Sequence, residues 1–162
     1  MRVLLIHLSD MHFDETFYIE NEFVESIAKA QKQIKEEFDE ILILVTGDIA
    51  QSGKEREYFV ANIFLGKLVY RIREVLNINK FIQVYVVPGN HDLNYSKDSR
   101  DNTDIIKLFY QNNYNQKFLE NEFELMGGFL DFAKKHNCYI KRDNFLETKI
   151  IDFNGEKIKI IC

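Results

Sequence analysis

The chain has 162 residues, 46% of them hydrophobic and 29% charged, with one proline, seven glycines and a formal net charge of −5. This composition fits one folded domain with its own core and excludes a disordered or low-complexity protein. The acidic balance excludes a protein that coats polyanions through bulk positive charge, and no apolar run is long enough for a signal peptide or a membrane span, so a cytoplasmic protein with no membrane partner is expected.

In chain order, residues 2–8, "RVLLIHL", form an apolar run of strand length without polar alternation, which predicts a strand buried on both faces. The segment "FYIENEFVESIAKAQKQIKEEF" then places Ile19, Phe23, Ile27, Ile34 and Phe38 near helical spacing and predicts a helix. A second buried strand follows at 41–46, "ILILVT", and a second helix in "KEREYFVANIFLGKLVYRIREVL", with Phe59, Ile63, Leu68, Ile72 and Val75 on the predicted inner face. The third strand is 82–87, "IQVYVV". This β-α-β-α-β order predicts a mostly parallel buried sheet flanked by helices, with right-handed crossovers that bring all three strand C-termini to one edge. Open α/β sheets bind ligands at that edge.

Further helical pattern lies in "NTDIIKLFYQNNY" and "KFLENEFELMGGFLDFAKKH", the latter interrupted at Gly127-Gly128. Asn154-Gly155, between two alternating runs, predicts a β-hairpin with a two-residue turn. Cys138 and Cys162 lie outside any C-x-x-C spacing and are expected as free thiols. Lys134, Lys135, Lys141 and Arg142 read as solvated surface.

The chemistry sits where the buried strands stop. The first ends in "SDMH", with Asp10 and His12, the second in "TGD", with Asp48, and the third in "GNHD", with Asn90, His91 and Asp92. Carboxylates, imidazole and an amide oxygen suit hard or borderline divalent cations such as Mn, Fe, Zn or Mg. Asp10 and His12 alternate in what reads as an extended segment, so both are expected to point toward one ion. Ser9 and Thr46 read as strand-end hydrogen bonders and His7 as a residue that packs or bonds within the core.

Asp-x-His, Gly-Asp and Gly-Asn-His-Asp, in this order and each after a buried strand, resemble the first three motifs of the calcineurin-like metallophosphoesterases. The wider wording, "LIHLSDMHF", "LVTGDIAQSGKEREY" and "VVPGNHDL", is similar to the branch containing bacterial cyclic-nucleotide phosphodiesterases. The resemblance implies a four-layer α/β/β/α sandwich, of which this chain holds the N-terminal part. It implies two divalent ions, with Asp10 and His12 on the first, Asp48 bridging and Asn90 on the second. His91 would face the phosphate and its leaving oxygen, and Asp92 would orient the His91 ring; alternatively, Asp92 caps the loop that follows it. The implied activity is phosphodiester hydrolysis, with a cyclic nucleotide as one substrate, by attack of hydroxide generated at the metal pair.

The same family continues with a further histidine and a Gly-His-x-His, neither of which this sequence contains. Its only later histidine, His136, reads as a surface or helix-terminal residue. Residues 1–162 are therefore expected to be a single domain, truncated on its C-terminal side and inactive alone. Two other readings stay open: a DNA nuclease of the same superfamily, with nucleic acid as partner, and a non-catalytic scaffold that self-associates through its exposed last strand.

Overall fold

The computed structural model describes residues 2–16, 21–34, 37–97, 116–138, 148–153 and 155–161. Strand β1 (Val3–Ser9), helix α1 (Asn21–Lys32), strand β2 (Glu40–Thr46), helix α2 (Glu55–Leu76) and strand β3 (Gln83–Val87) follow one another as the apolar periodicity predicts. The strands form a parallel sheet in the order β1-β2-β3. Helices α3 (Gln116–Leu125) and α4 (Gly127–Lys135) come next, and the separate antiparallel hairpin of β4 (Thr148–Phe153) and β5 (Glu156–Ile161) closes the chain. The α/β class and the parallel sheet match expectation; the segment read as helical over 102–114 lies outside the described residues.

Register explains the core. Leu4 and Ile6 pair with Ile41 and Ile43, and Val45 with Val86, so these side chains share one face of the sheet. All six are buried in a single cluster with Val24 and Ala28 of α1 and Ala61, Phe64, Leu65 and Leu68 of α2. Strand β2, paired on both sides, is apolar almost throughout. Strand β1 is different: Leu5, on the opposite face, is 53% exposed, and His7 and Ser9 are exposed as well. The expectation of burial on both faces therefore fails at β1, whereas β3, the other edge strand, buries Tyr85 and Val86 on opposite faces and contacts α4.

On both crossover helices the inner face matches the predicted one only in part, at Ile27 of α1 and at Leu68, Ile72 and Val75 of α2. On α1 the buried positions are Val24 and Ala28, while Phe23 stays partly exposed and stacks on Phe64 of α2 at 5.7 Å between ring centroids. On α2 the inner face is Tyr58, Ala61, Phe64, Leu65, Leu68 and Ile72, so Phe59 and Ile63 point outward. Apolar residues cover more than one stripe of α2, which packs against α1, and the small side chains Ala28 and Ala61 are both fully buried.

Helix α2 starts with a reciprocal cap. Glu57 is 2% exposed because its carboxylate turns back to accept the Ser52 N–H at 2.9 Å, the Lys54 N–H at 3.0 Å and the Ser52 hydroxyl at 2.6 Å. The Gly127-Gly128 interruption does divide the later helical segment, since α3 ends at Leu125 and α4 begins at Gly127. A Cβ on Gly128 would meet the Gly53 carbonyl oxygen at 2.9 Å, which is how closely α4 docks on the loop before α2. The hairpin register, Phe153 opposite Glu156, matches the expected two-residue turn, and Gly155 has φ +87°. Cys138 is a buried free thiol; Cys162, Lys141 and Arg142 lie outside the described residues.

His136 caps the C-terminus of α4, with its Nε2 3.0 Å from the Asn62 Oδ1 of α2 and its ring against Phe132. Burial, and secondarily the neighbouring Lys135 charge, holds its pKa below the ordinary value. The folded protein thus favours the neutral ring, and stability present above the unfolded value of about 6.5 is lost as pH falls through the lowered folded value. Thermal unfolding followed by circular dichroism should show a midpoint that drops between pH 7 and pH 5.5, and His136→Gln should flatten that drop; equal drops in both proteins would refute the assignment.

Candidate metal centre

The sheet does not stop cleanly at its C-terminal edge. Beyond Ser9, parallel pairing with the segment after β2 continues: the His12 N–H donates to the Asp48 carbonyl and the Phe13 N–H to the Ile49 carbonyl, each at 2.9 Å. Phe13 and Ala50 then form an isolated parallel bridge. Within this extension Asp10, His12 and Asp48 all have positive φ, at 54°, 47° and 47°. The other non-glycine residues of this kind among the described residues, Asn77 and Asn137, lie just beyond helix ends. The expected extended alternation of Asp10 and His12 is therefore replaced by left-handed kinks, which cost of the order of 1 kcal/mol or more each and aim the side chains by another route.

That route converges. One ligand atom each from Asp10, His12 and Asp48 lies within 4.8 Å of the others. Asp10 is exposed and the other two are half-buried. Among the described residues no lysine or arginine pairs with either carboxylate. His12 Nδ1 is buried and has no hydrogen-bond partner among the described residues, a state that natural structures seldom tolerate. Gly89, the first residue of "GNHD", has to lack a side chain: a Cβ there would sit 2.2 Å from Asp48 Oδ1 and 2.3 Å from the Asp48 nitrogen. Ser9 and Thr46 are strand-end hydrogen bonders as expected. The Ser9 hydroxyl touches the Asp10 carboxylate and reaches the Thr46 carbonyl, and the Thr46 hydroxyl meets His7 Nε2 at 2.6 Å.

The "GNHD" segment forms a short 3-10 turn over Asn90–Asp92. Asn90 is exposed on this turn, beside the cluster. The His91 main-chain N–H donates to Asp48 Oδ1 at 2.9 Å, its ring stands edge-on to the His12 ring at 4.8 Å, and its Nδ1 meets the Gln51 carbonyl oxygen at 3.0 Å. A carbonyl only accepts, so Nδ1 carries a proton and Nε2 is the ring nitrogen left outside this bond. Asp92 does not orient this ring. Its fully buried carboxylate accepts the N–H groups of Ile49 at 3.1 Å, Ala50 at 2.9 Å and Gly89 at 2.8 Å, and the Tyr58 hydroxyl at 2.9 Å. The task given to Asp92 in the sequence reading is performed by the Gln51 carbonyl, and Asp92 instead ties two loops and α2 together. Burial pushes the Asp92 carboxyl above its ordinary value against the opposing pull of these bonds, and burial with the Asp92 charge pushes the Tyr58 phenol far up, keeping it a donor.

Residues 3–161 match the family described as calcineurin-like phosphoesterase. The chain belongs to that family. No curated protein matches it. As a calcineurin-like phosphoesterase it falls among hydrolases of phosphoesters that work with divalent cations, and the three-donor cluster is the part of the structure that answers to this chemistry.

Two residues of this phosphoesterase escaped the sequence reading. Tyr58 sits in the second helical segment with no motif to mark it; a buried tyrosine hydroxyl needs a partner, and nothing in the sequence names Asp92 as that partner. Gln51 acts through its main chain, which carries no sequence signal. Removing the Tyr58 hydroxyl in Tyr58→Phe should cost about 1–2 kcal/mol. Asp92→Asn sets an amide NH₂ against donors and should cost about 3 kcal/mol or more. Urea unfolding measures both, and an Asp92→Asn protein no weaker than Tyr58→Phe would contradict the loop-tying role.

Proposed function

We propose that the chain supplies the first metal-ligand set of a phosphodiester-hydrolysing centre, with Asp10 and His12 holding one divalent cation, Asp48 shared between two, and Asn90 offered to the second. The observation that carries this reading is the buried His12 Nδ1, without a hydrogen-bond partner among the described residues, beside two carboxylates that no described lysine or arginine pairs. Side chains kept in strained backbone with repelling charges and an unsatisfied ring nitrogen are made complete by a cation, for Mn, Fe, Zn or Mg all accept this oxygen and nitrogen donor set. When bound, such ions lower the pKa of water and polarise phosphoryl oxygens.

The rest is work for the protein itself. Gly89 leaves room for the Asp48 carboxylate, and the His91 N–H fixes one of its oxygens. With Nδ1–H committed to Gln51, His91 in its imidazolium form has only the Nε2 proton to give, and it delivers that proton to the leaving oxygen of the ester. Asp92 acts on this chemistry at one remove, by holding the loop of Ile49 and Ala50 against Gly89. The "LIHLSDMHF" and "LVTGDIAQSGKEREY" wording supports a cyclic nucleotide as the diester. The sequence lacks a Gly-His-x-His, so these 162 residues alone should bind a cation weakly and give negligible turnover.

Calorimetric titration with Mn²⁺ tests the donor set. Asp48→Ala should lower affinity at least ~10-fold. His91→Ala keeps its main-chain N–H and should stay within about twofold of the parent chain, as expected of a side chain outside the ligand set. With Mn²⁺ added, hydrolysis of bis(p-nitrophenyl) phosphate by the 162-residue chain should not exceed the blank. Unchanged Mn²⁺ affinity in Asp48→Ala would sink the metal assignment, and robust turnover would sink the claim of an incomplete site.

A further inference from the structure

A hollow of about 390 Å³ opens beside the cluster, lined among others by Gln51, Ser52, Lys54, Asn90, His91 and Tyr95. Asn90 and His91 belong to both the hollow and the "GNHD" turn, so whatever occupies the hollow touches the group assigned to the leaving oxygen. The volume falls within the range of about 300–1,000 Å³ typical of small-molecule sites. Its lining is of mixed character, with the Lys54 ammonium, the Tyr95 and His91 rings, Leu93 and several amide and hydroxyl groups.

Lys54 and Tyr95 are held in place by different elements. Lys54 is the N-cap of α2, with its N–H on the buried Glu57 carboxylate, and its ammonium stays half-exposed at 3.9 Å from Glu15. Arg56 reaches the same Glu15 at 3.4 Å, so this one carboxylate is shared between two cations. Tyr95 is 42% exposed, yet its backbone is fixed on both sides. The preceding Asn94 donates its N–H to the Leu125 carbonyl at 2.9 Å, and the Ser96 hydroxyl bonds Asn94 Oδ1. A Cβ on Gly53 would come within 2.7 Å of the Asn94 nitrogen, so the Lys54 and Tyr95 segments are locked together at van der Waals limits. A partly exposed aromatic ring beside an ammonium and an imidazole is the arrangement that receives a flat ring carried on an anionic group.

We infer that this hollow is the recess for the organic arm of the phosphoester, and that the arm bears a flat ring which lies on Tyr95 while Lys54 faces its phosphate. Tyr95 is then a specificity-determining residue and Lys54 an anion-contacting one. The inference deepens the proposed function and rests on it, since the recess matters only if phosphate is handled next to it. A nucleobase and a simple aryl group share this chemistry, and the two are separated by experiment.

Ligand-observed NMR titrations of the 162-residue chain in Mg²⁺ would compare adenosine 5′-monophosphate with ribose 5-phosphate, and phenyl phosphate with methyl phosphate. The ring-bearing member of at least one pair should bind about tenfold tighter. A gain in the first pair only identifies a nucleobase arm, and a gain in both identifies any flat ring. Tyr95→Ala should erase the gain without moving the ring-free ligands, Tyr95→Phe should retain it, and Lys54→Gln should weaken both members of a pair alike. Equal binding within both pairs, or a Tyr95→Ala protein that loses all four ligands equally while its melting temperature is unchanged, would overturn the recess. Mn²⁺ titration of Asp48→Ala reports independently on the metal assignment, so failure of one reading does not pass for failure of the other.

Discussion

The site depends on a single buried carboxylate. Asp92 receives three main-chain N–H groups and one phenol hydroxyl, and these donors come from the loop after β2, the turn after β3 and helix α2. Two parallel strands end side by side by topology, but nothing in a β-ladder dictates how the irregular chain beyond them is arranged. A buried acceptor with four donors does dictate it, because each donor that drifts away leaves a desolvated partner behind. Asp48 precedes Ile49 by one residue and Asn90 follows Gly89 by one, so the carboxylate that fixes Ile49 and Gly89 also fixes the spacing of these two predicted ligands.

This anchoring explains how the strain at the cluster persists. Three left-handed non-glycine residues within two short loops would relax if the loops were free. Here the Asp10–Phe13 segment pairs with Gly47–Gln51, which in turn pairs with Asp92, so relaxation at one φ would break a hydrogen bond elsewhere. Gly47 and Gly89 are the places where the backbone itself must approach: Gly47 at φ +73°, and Gly89 because Asp48 occupies the space of its absent side chain. The motif spacing is thus explained by crowding as much as by ligand chemistry.

The parts legible in the sequence were those set by local pattern. The apolar runs of β1, β2 and β3 marked buried strands, their order implied a parallel sheet, and the polar residues after each run were bound to meet at its edge. The helix faces were less legible. The second crossover helix carries Tyr58, Phe59, Ile63, Phe64 and Leu65 on several stripes, so periodicity alone could not choose among them; packing against α1 and the sheet decided. The burial of Tyr58 and Glu57 depends on bonds to Asp92 and Ser52, which only the folded chain reveals. His91 posed a harder problem: its orienting partner is a main-chain carbonyl, and an adjacent aspartate is the obvious but different candidate. Side-chain identity suggests a relay that backbone geometry has already assigned elsewhere.

Charge imposes an order on the site. Asp10 and Asp48 sit together without a lysine or arginine partner among the described residues, and the protein as a whole is acidic. A phosphoester approaching that pair meets repulsion at close range, where screening by salt is weakest. Lys54, on the rim of the hollow, is partly engaged by Glu15, which also pairs with Arg56. Attraction for an anion at the cluster therefore requires the carboxylates to be neutralised first, and a divalent ion does this while inverting the local sign. On the proposed function, the cation is a precondition for substrate binding as well as for chemistry. On the inferred recess, the rim lysine has a distinct role, drawing the anion toward the hollow beside His91 once the cluster behind it has ceased to repel.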